Sequence, residues 1–318
     1  MSAEKSKVAQ ASSLPPNSPK QTGSLRYCQI AIITVVAIAL YAGFRALPTG
    51  TNLHQGDFDT RGQGMVELCD PSNPQFVAVT TARSPVTMTL SGDLPAMPGR
   101  EARLTLALAT STGKPVGPTD LFVQHTRKLH LLVVDPTLRD YQHIHPEPGE
   151  KAGEWTFVFT PRLAGTYRVF ADFVPVPTRR SLYAGADLPV SGDVAVNTHV
   201  LSWDAEVEGY QFKLTPVAPV RAGKAAELAF TVTRADGGRV PMEPVMDAYA
   251  HLVAFDSGNS GFAHLHPKEV SLAPPPDATK PRLTFQITIP NAGVYVIWAQ
   301  VKLAGREVFA PFWFEVAP

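Results

Sequence analysis

The sequence predicts an all-β protein. Its 318 residues include 30 prolines and 23 glycines, a composition that favours short strands joined by turns over long helices. After residue 75 the chain alternates short apolar runs with turn residues, and one histidine-rich block recurs 121 residues further on. Basic and acidic residues number 28 each, so the chain lacks the basic field that nucleic-acid binding needs, and we expect no nucleic-acid partner.

The N-terminal part is expected to anchor the chain in a membrane. Residues 1–26 are rich in Ser, Pro and Lys and are predicted to form a disordered tail. Residues 27–47 are predicted to form a single transmembrane helix, because residues 27–44 are apolar and uncharged. A helix of this length is near the minimum that spans a hydrocarbon core about 30 Å thick. A cleaved signal peptide is the alternative, because Ala42 and Ala46 follow the apolar run. The long leading tail favours an uncleaved signal-anchor.

The charges around this helix predict its orientation. Basic residues are more numerous before the helix (Lys5, Lys7, Lys20 and Arg26) than close behind it (Arg45). The positive-inside rule therefore places the N-terminus in the cytoplasm and the rest of the chain outside, in the periplasm or extracellular space. We expect an inner (cytoplasmic) membrane protein that crosses the lipid bilayer once, with residues 48–75 as a linker.

The remaining chain is predicted to form two tandem immunoglobulin-like β-sandwich domains, residues 76–192 and 193–318. Each part contains about seven strand-like runs separated by turn residues, and the runs follow the same order. The segment Phe170-Ala171-Asp172-Phe173 of the first part corresponds to Trp298-Ala299-Gln300-Val301 of the second. We therefore interpret the two parts as copies of one unit.

The recurring block is the candidate functional motif. It reads HLLVVDPTLRDYQHIHP from residue 130 and HLVAFDSGNSGFAHLHP from residue 251. In each copy a strand-like run is followed by a turn and a second short strand, which predicts a β-hairpin. Its histidines are His130, His143 and His145 in the first copy, and His251, His264 and His266 in the second.

The register of this hairpin predicts that the histidines converge. If the turn centres near Thr137, His130 lies opposite His145, and His143 shares their face because it is two residues from His145. Three imidazoles at this spacing can surround one metal ion. The alternative is a structural corner, in which the imidazoles hydrogen-bond turn carbonyls and the proline ends the strand.

Two further positions favour copper over zinc. Five residues before the first histidine of each copy stand His125 and Met246, which offer a fourth imidazole in one domain and a thioether in the other. Core packing is the alternative role for Met246. Asp135 and Asp256 are expected to organise the turns, because they alternate to the opposite face from the histidines. His54 and His199 are expected to be isolated.

The paired blocks, together with GTYRVFADFVP and GVYVIWAQV downstream, resemble bacterial exported tandem β-sandwich proteins related to YtkA-like domains. The resemblance covers most of residues 76–318. It implies copper or heavy-metal handling outside the cytoplasm, with the six histidines of the two blocks as ligands.

Two classes of function remain open. The first is a membrane-anchored extracytoplasmic metal-binding protein, for copper, that buffers the ion or delivers it to a membrane partner. The second is a structural module whose tandem domains contact another envelope protein without metal. The chain has no nucleophile elbow, phosphate loop or metalloprotease helix motif, so we do not expect an enzyme.

Overall fold

The computed structural model describes residues 23–46, 53–58, 74–196 and 199–318. The chain divides into two compact units, Met1–Thr49 and Gly50–Pro318. Residues 1–22 of the predicted tail, residue 47 of the predicted helix, and residues 48–52 and 59–73 of the predicted linker lie outside the described residues. The domain boundaries stay a prediction.

In the first unit, the described residues form the α-helix α1 (Gly23–Ala46). Its central 18 residues, Tyr27–Phe44, have a mean hydropathy of 2.0 and are exposed to the surroundings throughout. A helix that is apolar on all sides is stable in lipid rather than in water. Within the described part of the chain, it alone is long and apolar enough to cross a membrane, as expected for a single-pass anchor.

The second unit begins with a β-sandwich of two four-stranded sheets. The sheets have the strand orders β1-β2-β6-β5 and β4-β3-β7-β8, and all adjacent strands are antiparallel. A short 3-10 helix, Pro118–Asp120, lies between β2 and β3. The strands are β1 (Val86–Gly92), β2 (Ala102–Thr110), β3 (His130–Val134), β4 (Tyr141–Ile144), β5 (Glu147–Pro148), β6 (Glu154–Phe159), β7 (Gly165–Phe173) and β8 (Leu182–Val190).

A second β-sandwich follows it. One sheet has the order β15-β11-β10-β9, and the other has the order β12-β16-β13-β14 with β17 paired to β16. The strands are β9 (Asp204–Val207), β10 (Tyr210–Pro216), β11 (Ala225–Arg234), β12 (Met242–Glu243), β13 (Ala250–Asp256), β14 (Phe262–Leu265), β15 (Arg282–Thr288), β16 (Gly293–Leu303) and β17 (Arg306–Val316). The fold class is therefore as predicted: two tandem immunoglobulin-like sandwiches after one apolar helix.

Each sandwich has its own apolar core, and a third core joins them. The third core, called here the interface core, forms because β3 and β13 are buried on both faces. Leu131 of β3 packs into the first sandwich, whereas Leu132 faces the second. The members of the interface core are Val77, Val79, Leu132, Val134, Leu138, Tyr141, Phe170, Val253, Phe255, Phe262, Val296, Trp298 and Trp313.

Hydrogen bonds also cross this interface, and two of them end on backbone carbonyls of the first hairpin turn. The indole Nε1 of Trp298 donates to the carbonyl oxygen of Leu138 at 3.2 Å. The side-chain Nδ2 of Asn259 donates to the carbonyl oxygen of Asp135, also at 3.2 Å. The interface thus combines a buried apolar centre with directional contacts, which fixes how the two sandwiches pack.

Two segments pack differently from what the sequence predicts. Residues 53–58, predicted as linker, include the 3-10 helix Gln55–Phe58 and bury Leu53 and Phe58 in the core of the first sandwich. The run FVAVTTA (residues 76–82), predicted as the first strand of the first domain, instead hydrogen-bonds to the second sandwich through residues 76–80; Val77 exchanges two backbone hydrogen bonds with Phe262. A short apolar run gives no information about which sheet edge it will join, so its sequence alone could not decide between the two sandwiches.

Candidate metal centre

The histidines are positioned by two equivalent hairpins. In the first, Leu131 pairs with Ile144 and Leu132 with His143. In the second, Leu252 pairs with Leu265 and Val253 with His264. Extending each register by one residue places His130 opposite His145 and His251 opposite His266, so the predicted register is confirmed.

Alternation along the strands directs the histidines toward the other sandwich. Side chains two residues apart share a face, so His130 lies on the same face of β3 as Leu132, a residue of the interface core. His251 of β13 shares the face of Val253 in the same way. The two hairpins therefore present their histidines to each other beside the interface core.

Seven histidines form one cluster as a result. Within it, two triads each bring three candidate ligand nitrogens within 4.8 Å of one another. These are the first triad (His130, His143 and His145) and the second triad (His251, His264 and His266), with His125 as the seventh member. His199 lies apart from them and stacks on Trp313, with ring centroids 4.4 Å apart.

Hydrogen bonds determine the tautomers in the first triad. The Nε2 of His130 lies 3.0 Å from the carbonyl oxygen of Gln124, which can only accept, so Nε2 carries the proton and Nδ1 a lone pair. The Nδ1 of His143 lies 2.8 Å from Oε1 of Gln300, whose Nε2 in turn donates to Glu307 at 2.7 Å. His143 therefore donates from Nδ1 and keeps a lone pair on Nε2.

These two lone pairs face each other. The Nδ1 of His130 is 3.1 Å from the Nε2 of His143 and 3.2 Å from the Nε2 of His145. Since neither nitrogen of the first pair carries a proton in these tautomers, their contact is repulsive unless a cation lies between them. The donor set thus fits a metal ion.

The second triad has the same arrangement. The Nε2 of His251 donates to the carbonyl oxygen of Val245 at 3.0 Å, and the Nδ1 of His264 donates to Oδ2 of Asp172 at 3.2 Å. The opposite nitrogens, Nδ1 of His251 and Nε2 of His264, are buried and have no hydrogen-bond partner among the described residues, and the same holds for Nε2 of His266. Buried polar atoms without partners are rare in proteins, and three such imidazole nitrogens in one triad fit a metal ion as their common partner.

Burial keeps the imidazoles neutral. It lowers the pKa of His145 to about 3 and that of His251 to about 4, and it lowers the pKa of His143, His264 and His266 well below the ordinary value. The pKa values of His125 and His130 are lowered for the same reason. Metal binding requires neutral imidazole, so the cluster is in the binding-competent protonation state at neutral pH.

The candidate fourth ligands lie in matching turns. His125 has φ 48° and Met246 has φ 49°, each in a turn just before the histidine strand of its own sandwich. The ring of His125 stacks on that of His266 with centroids 3.9 Å apart, whereas it is 6.3 Å from His130. The first sandwich thus extends His125 to the second triad. Met246 is half-buried, and its role as a ligand stays a prediction.

The turn aspartates play the role expected of them. Asp135 is fully buried, and its carboxylate accepts backbone hydrogen bonds from Thr137, Arg139 and Asp140. Asp256 accepts one from Ser260 in the second hairpin. Both carboxylates are used in the turns.

Sequence reasoning missed Asp172 and Gln300. They hold equivalent places, since Asp172 pairs with His130 across β7 and β3, and Gln300 pairs with His251 across β16 and β13. The signal was present in the corresponding segments FAD and WAQ, but nothing local indicated that each side chain would contact a histidine of the other sandwich.

The fold and the cluster define a protein of two β-sandwiches with histidine triads that could hold metal ions. The chain belongs to the family described as domain of unknown function (DUF8832), which matches residues 80–182 and 205–318. No curated protein is significantly similar in sequence to the chain. The resemblance to YtkA-like domains is not confirmed by these comparisons.

Many solved structures match this chain, and three of them show how low the similarity is. A Corynebacterium diphtheriae protein described as membrane anchored is 9% identical with a TM-score of 0.23, covering 74% of this chain and 60% of its own. Salmonella alpha-2-macroglobulin reacted with methylamine is 12% identical with a TM-score of 0.24, and the match covers 82% of this chain and 16% of that one. The Clostridium thermocellum CbhA fibronectin(III)-like modules are 11% identical with a TM-score of 0.20, and the match covers 72% of this chain and 94% of that one. At these values none supports an argument about function.

Proposed function

We propose that this protein is a membrane-anchored extracytoplasmic protein that binds copper through its two histidine triads and either buffers the ion or delivers it to a membrane partner. The observation that carries the proposal is the facing pair of lone pairs on His130 and His143, 3.1 Å apart. A metal ion removes their repulsion, and the hydrogen bonds on the opposite side of each ring already point the lone pairs inward.

A purely structural role is the second candidate. It is favoured by one observation, the hydrogen bonds from His130 and His251 to turn carbonyls. Those bonds use one nitrogen of each ring, but they leave the buried Nδ1 of His251 without a hydrogen-bond partner among the described residues. A structural role does not explain the unpartnered nitrogens of His251, His264 and His266, whereas a bound metal ion does.

Copper suits the donor set best. Among the described residues the cluster consists of imidazoles and includes no cysteine, since the free Cys28 lies in α1. This argues against a structural zinc site rich in thiolates. Among divalent first-row ions copper binds nitrogen ligands most strongly, and Met246 adds a nearby thioether. A carboxylate-rich shell for calcium or magnesium is not present in the described cluster.

The proposal also covers the side of the membrane on which the sandwiches lie and their relation as repeats. The basic residues before α1 favour a cytoplasmic N-terminus and periplasmic or extracellular sandwiches. The two sandwiches are proposed to be copies of one unit, supported by the equivalent partners of His130 and His251. The role that we propose for the triads is binding, not catalysis.

Metal analysis tests the proposal. The full chain is purified in detergent, treated with chelator and offered copper, zinc and nickel in equal amounts. We expect about two equivalents of retained copper, one for each triad. His143→Ala and His264→Ala should each remove about one equivalent, while His54→Ala, outside the cluster, should remove none. Retention of zinc in preference to copper would exclude copper, and equal copper in the double variant would exclude the triads.

A further inference from the structure

The shortest ring separation between the two triads falls within the range of separations found inside each triad. Ring centroids within a triad lie 4.8 to 5.6 Å apart. Across the sandwiches, His143 and His264 are 5.5 Å apart, and His130 and His264 are 6.0 Å apart. His125 also lies within 6.5 Å of rings from both triads. By distance the cluster is one group of imidazoles.

Each triad is oriented by the sandwich that does not contain it. Gln300 of the second sandwich accepts the hydrogen bond of His143 in the first triad. Asp172 of the first sandwich accepts that of His264 in the second triad. This exchange means that neither triad is complete in an isolated sandwich, because one ligand of each would lose the partner that fixes its tautomer and direction.

From this arrangement we propose that the triads are the two halves of one dinuclear centre, which holds a pair of copper ions between the sandwiches. The inference rests on the proposed function and extends it, since two independent sites would also satisfy that function. The packing of Leu132 and Val253 in the adjacent interface core holds the two halves at a fixed separation.

The environment also suits a pair of cations. Asp172 is buried, with a side chain 9% exposed, and its Oδ1 has no hydrogen-bond partner among the described residues. Its negative charge offsets part of the repulsion between two adjacent ions. That repulsion is stronger in a site shielded from water. The first triad is backed by the neutral amide of Gln300, so the halves differ in charge although they match in geometry.

Electron paramagnetic resonance of the full chain loaded with two equivalents of Cu(II) tests the pairing. A dinuclear centre should show a half-field transition, or a spin concentration well below the copper content because the two spins couple. His266→Ala, which leaves one complete triad, should restore the spectrum of an isolated ion with full spin intensity. Two bound ions with full spin intensity and no half-field transition would overturn the pairing while leaving copper binding intact.

A second measurement tests the crossed orientation and does not depend on spin coupling. In the His266→Ala background, Gln300→Ala should weaken copper binding by the first triad about 10- to 100-fold, although Gln300 belongs to the other sandwich. Asn259→Ala is the matched control, because it removes another amide hydrogen bond across the interface that ends on a backbone carbonyl. Equal loss in both variants, or no loss in either, would refute the crossed arrangement. Failure of the parent chain to bind copper would instead refute the proposed function.

Discussion

Asp172→Asn is expected to have opposite effects on the metal-free and the copper-bound protein. Burial raises the pKa of Asp172 from its ordinary value of 3.8 to about 6, so the folded state disfavours the ionised carboxylate. Above pH 6 this penalty is fully present, and it disappears as the pH falls below 3.8 because the carboxyl is then protonated in both states. A rise of this size corresponds to about 3 kcal/mol, the upper limit of what the substitution can add to the stability of the metal-free protein at pH 7.5.

The same substitution should weaken copper binding. The amide of asparagine can still accept a hydrogen bond from His264, but it lacks the charge that makes the imidazole a better donor to the metal. We expect the affinity of the second triad to fall about 10- to 100-fold, equivalent to about 1.4 to 2.7 kcal/mol. Thermal melts of chelator-treated protein at pH 7.5, and competition titrations with a copper chelator, measure the two effects. A metal-free variant that is less stable than the parent, with copper affinity unchanged, would refute the reasoning.

Three further predictions follow from burial, close packing and charge. The metal-free protein should lose stability as the pH falls from 6.5, where histidines of the unfolded chain begin to bind protons, to about 4, the pKa of buried His251. His251 alone accounts for a loss of about 3 kcal/mol. A denaturation midpoint that stays constant between pH 7 and pH 4 would contradict this. Gly261→Ala should destabilise the second unit by a few kcal/mol, since a Cβ there would lie 1.8 Å from the carbonyl oxygen of Val77; unchanged denaturant unfolding would show that this segment can move aside without cost. An alkaline phosphatase reporter fused after Pro318 should be active, as expected for an extracytoplasmic C-terminus, and activity only of a cytoplasmic reporter would reverse the orientation.

Local patterns predict much of this protein, because the features concerned depend on neighbours along the chain. The apolar run that forms α1, the alternation in β2 and the register of the hairpins are all of this kind. The register depends on a turn only a few residues long, so His130 and His145 could be placed opposite each other without knowledge of the rest of the fold.

The convergence of the triads depends on contacts distant in sequence, and local patterns could not establish it. One indication was available: HLLVV and HLVAF are apolar at almost every position, a pattern typical of strands buried on both faces. Such a strand in a two-layer sandwich must pack against something beyond its own core. The identity of that partner, and hence the roles of Asp172 and Gln300, became visible only in the folded chain.

X-ray absorption at the copper edge of the loaded full chain tests the central claim most directly. Copper held by the triads should show nitrogen neighbours at about 2.0 Å and the outer-shell scattering of about three imidazoles for each ion. His130→Ala and His251→Ala should each reduce the bound copper while leaving the spectrum of the remaining ion dominated by imidazole. A spectrum without imidazole scattering, or one unchanged in both amount and shape by the two substitutions, would show that copper binds elsewhere and would contradict the account.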